Sequence, residues 1–314
     1  MDLKSFIGCL IAVLFLNSCR QLVQDDFPDF EPVPVVHCIL REGKPLEMRL
    51  SWTAKIDSSR LKFIENAQVR LFVNGEYAET LTHRQKGIYD ATSAVASSVR
   101  YCCEINIPGC EIIIASDSLP AMVVLSNVQL IPVSMRNEEG LPIPAVRFTF
   151  DNNPAERRYY EAVIWEFQEK WAWGFDPEFG FEKPMVVDSN YMSQVPYYEN
   201  LIDPILKSEG LQIPVFSNEH IKGNEYTMTI NFCVGYSRSG DEPWVAVLNP
   251  IIMELRSVSY DYYRYAKQKY LYETGFAPEF GKPAPVFSLY SNIDKGYGIF
   301  AGYAAFLSDT LTVK

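Results

Sequence analysis

The sequence contains few of the residues from which familiar catalytic and metal centres are built. It has three histidines, His37, His83 and His220, and no C-x-x-C pair, a pattern that argues against a zinc site. It has no G-x-S-x-G elbow, and none of the histidines stands in the context of a catalytic triad. The stretch GYGIFAG departs from the spacing of phosphate-binding loops and favours a glycine-permitted bend in a strand. We therefore predict no catalytic residue, no metal and no cofactor.

An excess of positive charge is also missing. The 28 basic and 39 acidic residues leave a net charge of −11, which repels phosphate backbones and anionic lipid headgroups. Nucleic acid is therefore not an expected partner. Aromatic residues make up 14% of the chain, a proportion that suits β-strands and carbohydrate or protein contact surfaces better than a helical bundle.

The apolar run at the start of the chain is too short to cross a membrane. It extends from Phe6 to Leu16, whereas a transmembrane helix needs roughly 20 apolar residues. The run follows a short polar start containing Lys4 and precedes Asn17 and Ser18, which is the layout of a signal peptide. We predict that residues 1–18 are a signal peptide.

The residues before Cys19 resemble a bacterial lipobox. Leu16 stands three places before the cysteine and Ser18 immediately before it. The resemblance implies that Cys19 becomes the mature N-terminus and carries lipid on its sulfur and its amine. Because several acyl chains hold a protein far more firmly than one, we expect Cys19 to anchor the protein to a membrane that it does not span.

Residues 19–32 are predicted to form an extended acidic tether. They are rich in proline and carboxylates and cannot bury a core. Acidic residues soon after a lipidated cysteine resemble the export signal with which some Gram-negative bacteria display lipoproteins on the cell surface, and a solvated spacer is an equal alternative. The acids concerned are Asp25, Asp26, Asp29 and Glu31.

The cysteine count leaves disulfide pairing open. With Cys9 in the signal peptide and Cys19 assigned to lipid, an odd number is left, so at least one is outside any intrachain bridge. The neighbouring residues Cys102 and Cys103 point to opposite faces of a strand and are poorly placed to form a disulfide with each other. The cysteines concerned are Cys38, Cys102, Cys103, Cys110 and Cys233.

Residues 33–125 have the pattern of a β-sandwich domain of the immunoglobulin or fibronectin kind. The stretch PLEMRLSW alternates apolar and polar residues, as a half-buried strand does. Asn74-Gly75 follows another alternating stretch and predicts a hairpin turn. A later strand is expected to return through Ile112 and Ile114. Short strands separated by turn signals are typical of a sandwich.

Residues 126–314 form a second predicted β-rich domain, because AVRFTF, YYEAVIWEF and EYTMTINFC alternate in the same way. The predicted fold class is thus mainly β, with two sandwiches. Ser257 or Ser259 can cap a helix near 257–273, with Gly275 as its stop. This helix carries too many tyrosines for one buried stripe, so some must contact a sheet and others solvent or a partner.

The stretch WEFQEKWAWGFDPEFGF is the most suggestive of a contact surface. Its first part continues a strand, and its glycine and proline residues predict a loop from Trp171 onward. Loop aromatics can stack on sugars or anchor a protein interface. We take Trp171, Trp173 and Phe175 as candidate ligand or partner contacts; packing onto their own domain is the alternative.

The C-terminal stretch YSNIDKGYGIFAGY resembles the closing motif of the Gram-negative lipoproteins grouped as domain of unknown function DUF4249. The tyrosine-rich helix, the VRFTFDNNP segment and the lipobox come in the same order. The resemblance implies an outer-membrane location, frequent pairing with TonB-dependent receptors, and no established activity. The motif residues, to which we assign a structural role, are Ser291, Asn292, Gly296, Gly298, Phe300 and Gly302.

Three functional hypotheses follow. The first is a surface-exposed, non-enzymatic lipoprotein that assists a TonB-dependent nutrient receptor or captures its ligand, which is a glycan or a peptide. The second is an independent glycan-binding or adhesive surface module. The third is a hydrolase, because carboxylates are plentiful and a glycosidase needs only two of them at a suitable separation.

Overall fold

The computed structural model describes residues 30–55, 60–176, 180–197, 203–208, 214–274 and 289–313. The chain divides into two units, Met1–Pro32 and Val33–Lys314, and the whole described fold lies in the second. The predicted signal peptide, residues 1–18, lies outside the described residues. Of the predicted tether, only residues 30–32 are described.

Most described residues belong to β-strands, which confirms the predicted fold class. The strands in the described part of the chain are β1 (Pro34–Arg41), β2 (Pro45–Trp52), β3 (Gln68–Val73), β4 (Glu76–Thr80), β5 (Thr82–His83), β6 (Ile88–Ala94), β7 (Arg100–Asn106), β8 (Ile113–Ser118), β9 (Leu125–Arg136), β10 (Pro142–Asp151), β11 (Tyr159–Asp176), β12 (Phe181–Gln194), β13 (Val215–Ser217), β14 (Glu225–Asn231), β15 (Gly235–Ser237), β16 (Val245–Val247), β17 (Ile251–Val258) and β18 (Tyr297–Leu307).

Two helices occur among the described residues, α1 (Pro204–Ser208) and α2 (Tyr260–Thr274). The start of α2 shows which of the two predicted caps is used. The Ser259 Oγ accepts a 3.2 Å hydrogen bond from the Tyr262 amide, and the Ser259 carbonyl accepts one of 3.0 Å from the Tyr263 amide. The side-chain bond satisfies an amide that the first turn leaves without a partner, and the carbonyl bond is the first regular bond of the helix. The predicted stop, Gly275, lies outside the described residues.

One large sheet runs through the fold in the order β12-β11-β17-β18-β1-β2-β6-β5, with β13 also paired to β11. Its centre joins distant parts of the chain, because β18 pairs in parallel with β1 and antiparallel with β17. A four-stranded sheet, β4-β3-β7-β8, and a three-stranded sheet, β14-β10-β9, are separate from it. A pair of short strands, β15 and β16, completes the described strands.

Two apolar cores lie against this large sheet. The first core takes buried side chains from β1, β2 and β6 of the large sheet and from β3, β7 and β8 of the four-stranded sheet. The second takes them from β11 and β17 and from β10 and β14 of the three-stranded sheet. Both are therefore sandwiches in which the large sheet supplies one layer. The predicted domain boundary between residues 125 and 126 stays a prediction.

The alternating strand pattern identifies most core residues and misses one register. In β2 the buried residues are Leu46, Met48 and Leu50, as the pattern predicts. In the strand after the β7 turn, the predicted Ile112 and Ile114 are exposed, and Ile113 is buried instead. Consecutive isoleucines make both registers apolar, and the pairing of Ile105 with Ile113 selects the buried one.

Among the described residues, no helix is long and apolar enough to cross a membrane.

Candidate functional site

The candidate contact residues lie on a two-stranded ribbon. Strand β11 pairs with β17 only as far as Glu166, and beyond it residues 168–176 pair solely with residues 181–191 of β12 among the described strands. The stretch from Trp171 to Asp176 is therefore a strand, and the predicted loop is wrong. Gly174 was one of the residues that suggested a loop, but it fits an edge ribbon, and the ribbon also accepts Pro184 on the edge strand β12.

One face of this ribbon is apolar and exposed. The side chains of Trp173 and Phe175 are 72% and 64% exposed, and because they are two residues apart they point the same way. Pro184 of β12 pairs with Trp173, so its side chain lies on the same face. Val186, two residues further along β12 and 41% exposed, therefore lies on that face too. We call Trp173, Phe175 and Val186 the aromatic face. Trp171 lies in β11 between Lys170 and Ala172, and only its backbone is described.

The base of the ribbon is held by specific side-chain contacts. The Lys170 ammonium lies 4.8 Å above the ring of Tyr191 on the opposite strand. Nearer the sheet, the Gln168 amide donates a 2.6 Å hydrogen bond to the Ser193 hydroxyl. These contacts fix how the two strands are paired, so the aromatic face is presented on an ordered element rather than on a loose loop.

The residues of the C-terminal motif join β18 to the rest of the fold. Asn292 bonds to both backbone groups of Phe300: its Nδ2 donates to the Phe300 carbonyl at 2.7 Å, and its Oδ1 accepts from the Phe300 amide at 3.0 Å. Its Nδ2 also donates to Asp261 Oδ2 at 2.9 Å. The Phe300 side chain is fully buried in the first core. Asn292 thus ties β18 to the start of α2.

Two glycines of the motif allow β18 to approach its neighbours. Gly298 has φ of +114°, and a Cβ there would lie 1.9 Å from the Val36 carbonyl oxygen. A Cβ on Gly302 would lie 2.6 Å from Leu119 and 2.8 Å from Leu40. Neither position accepts a side chain without moving backbone or core. The other motif residues, Ser291 and Gly296, lie in the segment that leads into β18, where Ser291 Oγ accepts a 3.3 Å bond from the Ile293 amide.

A charged cluster that sequence analysis missed lies beneath α2. Arg256 on β17 donates to Glu161 Oε2 at 2.7 Å through Nη1, and to Glu254 Oε1 at 2.8 Å through Nε. Trp165 Nε1 donates to Glu254 at 2.5 Å, and the Tyr262 hydroxyl donates to Glu161 at 2.7 Å. All three charged side chains are largely buried: Arg256 is 14% exposed, Glu161 15% and Glu254 7%.

The electrostatics of this cluster favour the charged form of Arg256 and the neutral form of Tyr262. Burial opposes the charge of Arg256, but hydrogen bonding and attraction from Glu254 and Glu161 outweigh it and raise the arginine pKa. Burial and the Glu161 carboxylate raise the pKa of Tyr262. The one signal in the sequence was the presence of two charged residues, Glu254 and Arg256, in the mostly apolar and buried strand β17.

This cluster lines a cavity of about 670 Å³ between α2 and the large sheet. Arg41 of β1 and Lys269 of α2 line another part of this cavity. His37 lines it too, and its pKa is lowered by burial and by the charges of Arg49 and Lys269. The arginine and both carboxylates satisfy one another within the sheet, and the hydrogen bond from Tyr262 to Glu161 ties α2 to them. Among the described residues, no group of three His, Cys, Asp or Glu side chains is placed to hold a metal ion.

The predicted lipidation site, Cys19, lies outside the described residues. Of the cysteines left open for pairing, Cys38 and Cys103 are buried thiols in the first core. Burial raises the pKa of both. They are therefore protonated at neutral pH and act as small apolar core residues.

Comparisons with known proteins place the chain in a family. No curated protein shows a match. A solved structure, described as a membrane anchored protein from Corynebacterium diphtheriae, is 10% identical over 74% of this chain and 56% of its own, with a TM-score of 0.21. The family model described as Domain of unknown function (DUF4249) matches residues 21–306. The chain therefore belongs to the DUF4249 family.

Proposed function

We propose that the protein is a lipid-anchored outer-membrane protein that faces the cell exterior and assists a TonB-dependent receptor without being an enzyme. In this role it captures ligand for the receptor or caps the receptor barrel. The lipobox at Cys19 and the acidic tether support the anchor and the exposure. The resemblance of the C-terminal motif to lipoproteins that are frequently paired with such receptors supports the choice of partner.

The aromatic face of the β11–β12 ribbon is the observation that carries the proposal. Large rigid rings supply contact area at a small cost in side-chain entropy, and they dominate the energy of many protein interfaces. Trp173 and Phe175 are among the most exposed large apolar side chains of the described chain, and the ribbon is paired to the sheet only at its base. Such a face is suited to contact with a partner.

Affinity purification from gently solubilised membranes tests the proposal. Tagged wild-type protein is expected to retain a β-barrel receptor in stoichiometric amount. The double variant Trp173→Ala with Phe175→Ala should retain at least tenfold less receptor, because two anchor rings of the interface are removed. The matched control is Tyr77→Ala, which removes another exposed aromatic ring, 57% exposed, from β4. Repeated absence of a barrel protein, or equal retention by the double variant, contradicts the proposal.

The aromatic face also suits stacking on sugar rings, and this supports the second hypothesis of an independent glycan-binding module. A polysaccharide-binding screen separates the two. Binding that is lost in Trp171→Ala and Trp173→Ala, without any receptor in the purification, would assign the ribbon to a glycan rather than to a protein partner.

A further inference from the structure

A strip of exposed cations lies on the face of the large sheet that is turned away from the first core. Arg41 ends β1, Arg49 lies on β2, and Lys44 lies in the turn between these strands. Because Leu40 and Leu50 point into the first core, the neighbouring arginines point away from it. Within the described part of the chain, none of the three cations makes an ion pair or a side-chain hydrogen bond. We call these three residues the basic strip.

The basic strip lines a concave surface. The cavity of about 670 Å³ beneath α2 includes Arg41 in its wall. An adjoining cavity of about 390 Å³ shares His37, Ile39 and Arg41 with it and also contains Lys44 and Arg49. Both volumes lie within the range of roughly 300–1,000 Å³ that is typical of small-molecule sites. The cations therefore face a space that a ligand can enter.

The carboxylates that line these two cavities have other cations as partners. Glu47 accepts a 2.7 Å hydrogen bond from Arg84, and Glu273 lies 3.7 Å from Lys269. The two carboxylates of the buried cluster pair with Arg256. Among the described residues, no lining carboxylate lies within ion-pair distance of the basic strip. The strip is thus a local surplus of positive charge in a chain whose net charge is −11.

A histidine in the same wall responds to this charge. His37 lies directly opposite Arg49 in the register of β1 with β2. Burial lowers the pKa of His37, and the charges of Arg49 and Lys269 lower it further. Because Lys269 belongs to α2, positive charge reaches this space from the helix as well as from the sheet. An anion in the space is attracted from both sides.

The spacing of the cations favours a ligand with more than one negative group. Arg49 pairs with His37, and Arg41 lies four residues further along β1, about 13 Å at roughly 3.3 Å per residue. A guanidinium binds a carboxylate or a phosphate through two parallel hydrogen bonds. A ligand with two such groups can use both arginines in this way, whereas a single group uses one.

We infer that the basic strip of Arg41, Lys44 and Arg49 binds a small anion that carries two or more carboxylate or phosphate groups. Each arginine donates hydrogen bonds to one group, and Lys44 adds its charge from the turn. The inference does not rest on the role proposed for the aromatic face, because the strip lies on β1 and β2 and the aromatic face lies on the β11–β12 ribbon.

Calorimetric titration of the intact protein in a non-ionic detergent tests the inference. Citrate and tricarballylate are the carboxylate probes, and pyrophosphate and tripolyphosphate are the phosphate probes. We expect one bound anion per chain, much weaker binding of acetate, and no binding of glucose. Raising the ionic strength to about 0.15 M should weaken binding, because the attraction is between exposed charges. Binding of only one of the two sets of probes identifies the anionic group that the strip accepts.

Arg41→Gln and Arg49→Gln should each weaken binding about tenfold or more, because each removes hydrogen bonds to a charged group. Both side chains are exposed and make no ion pair within the described chain, so the melting temperatures of the variants should match that of the wild type. The matched control is Arg100→Gln, which removes an exposed arginine from β7 that lines neither cavity. Trp173→Ala should also bind the anion normally.

Three outcomes would overturn the inference. They are failure of every probe to bind, binding by Arg41→Gln and Arg49→Gln that equals that of the wild type, and an equal loss of binding in Arg100→Gln. The last would show that the net charge of the protein, rather than the strip, attracts the anion. Because the receptor purification uses Trp173 and Phe175, its failure would leave these measurements unaffected.

Discussion

The Gly302 amide donates a 3.1 Å hydrogen bond to the carboxylate of Asp117, which stands 185 positions earlier in the chain. This contact joins the end of β8 to the middle of β18. The same carboxylate interacts with the hydroxyl of Ser259, the N-cap of α2, and it feels the charge of Asp261 in the first turn. One carboxyl group therefore lies where the N-terminal sandwich, the last strand and the helix meet.

Asp117 should make stability depend on pH. Burial, which outweighs the hydrogen bonds from Ser259, Ser118 and Gly302, raises its pKa to about 6. Because this value exceeds the roughly 3.9 expected in the unfolded chain, the folded state binds the proton more tightly. The resulting stabilisation, about 3 kcal/mol, is fully present below pH 4 and is lost as pH rises through 6.

Urea unfolding of wild type and Asp117→Asn at several pH values between 4 and 8 measures this contribution. The difference between the two unfolding free energies should change by about 3 kcal/mol over that range, since other carboxyls cancel in the comparison. A difference that stays constant with pH would show that Asp117 titrates normally.

Gly298→Ala should prevent normal closure of the fold. A Cβ there would lie 1.9 Å from the Val36 carbonyl, and φ is +114°. We expect a loss of about 3 kcal/mol or more, because β1 or β18 must move. Gly140→Ala is the matched control: its φ is +79°, yet a Cβ there has nothing within 4 Å. It should cost only about 1 kcal/mol of backbone strain in the same unfolding assay. Similar losses in both variants would mean that strain rather than the clash decides.

Arg256→Met should destabilise the protein by about 3–5 kcal/mol, because Glu161 and Glu254 would be left as buried charges without their cation. The comparison is Arg84→Met, which breaks ion pairs of similar length, 2.7 Å to Glu47 and 3.0 Å to Asp90, on side chains about half exposed. Exposed pairs contribute about 0–1 kcal/mol. Chemical denaturation measures both, and equal effects would argue against the burial of the Arg256 cluster.

Local patterns in the sequence predict local structure well here. The alternation in PLEMRLSW predicts β2 and its buried face, and Asn74-Gly75 predicts the β3–β4 turn, where both residues have positive φ. The parallel pairing of β1 with β18 brings together opposite ends of the fold, and no local pattern contains that information. Likewise, alternation shows that Glu161 and Arg256 lie in strands, but only the register of β11 with β17 makes them direct partners.

The candidate contact residues likewise combine a feature that the sequence predicts with one that it does not. Composition singles out Trp173 and Phe175 as suited to contact, and their exposure in the fold agrees with that choice. Their element was predicted wrongly, because Gly174 contributes to a loop signal in the sequence, whereas a glycine is tolerated within a strand of an edge ribbon.

Lipid anchoring at Cys19 can be tested by substitution. If Cys19 carries the acyl chains, Cys19→Ser removes the attachment site and leaves a protein whose net charge of −11 disfavours anionic membranes. In detergent phase separation, wild type should enter the detergent phase, its N-terminal peptide should carry added lipid mass, and Cys19→Ser should move to the aqueous phase. Cys110→Ser is the better control than a change at Cys38, because Cys110 is only half-buried whereas Cys38 is fully enclosed in the first core. A Cys19→Ser protein that stays with detergent would mean that residues 6–16 are retained and hold the membrane themselves, and the partner proposal would then need a different anchor.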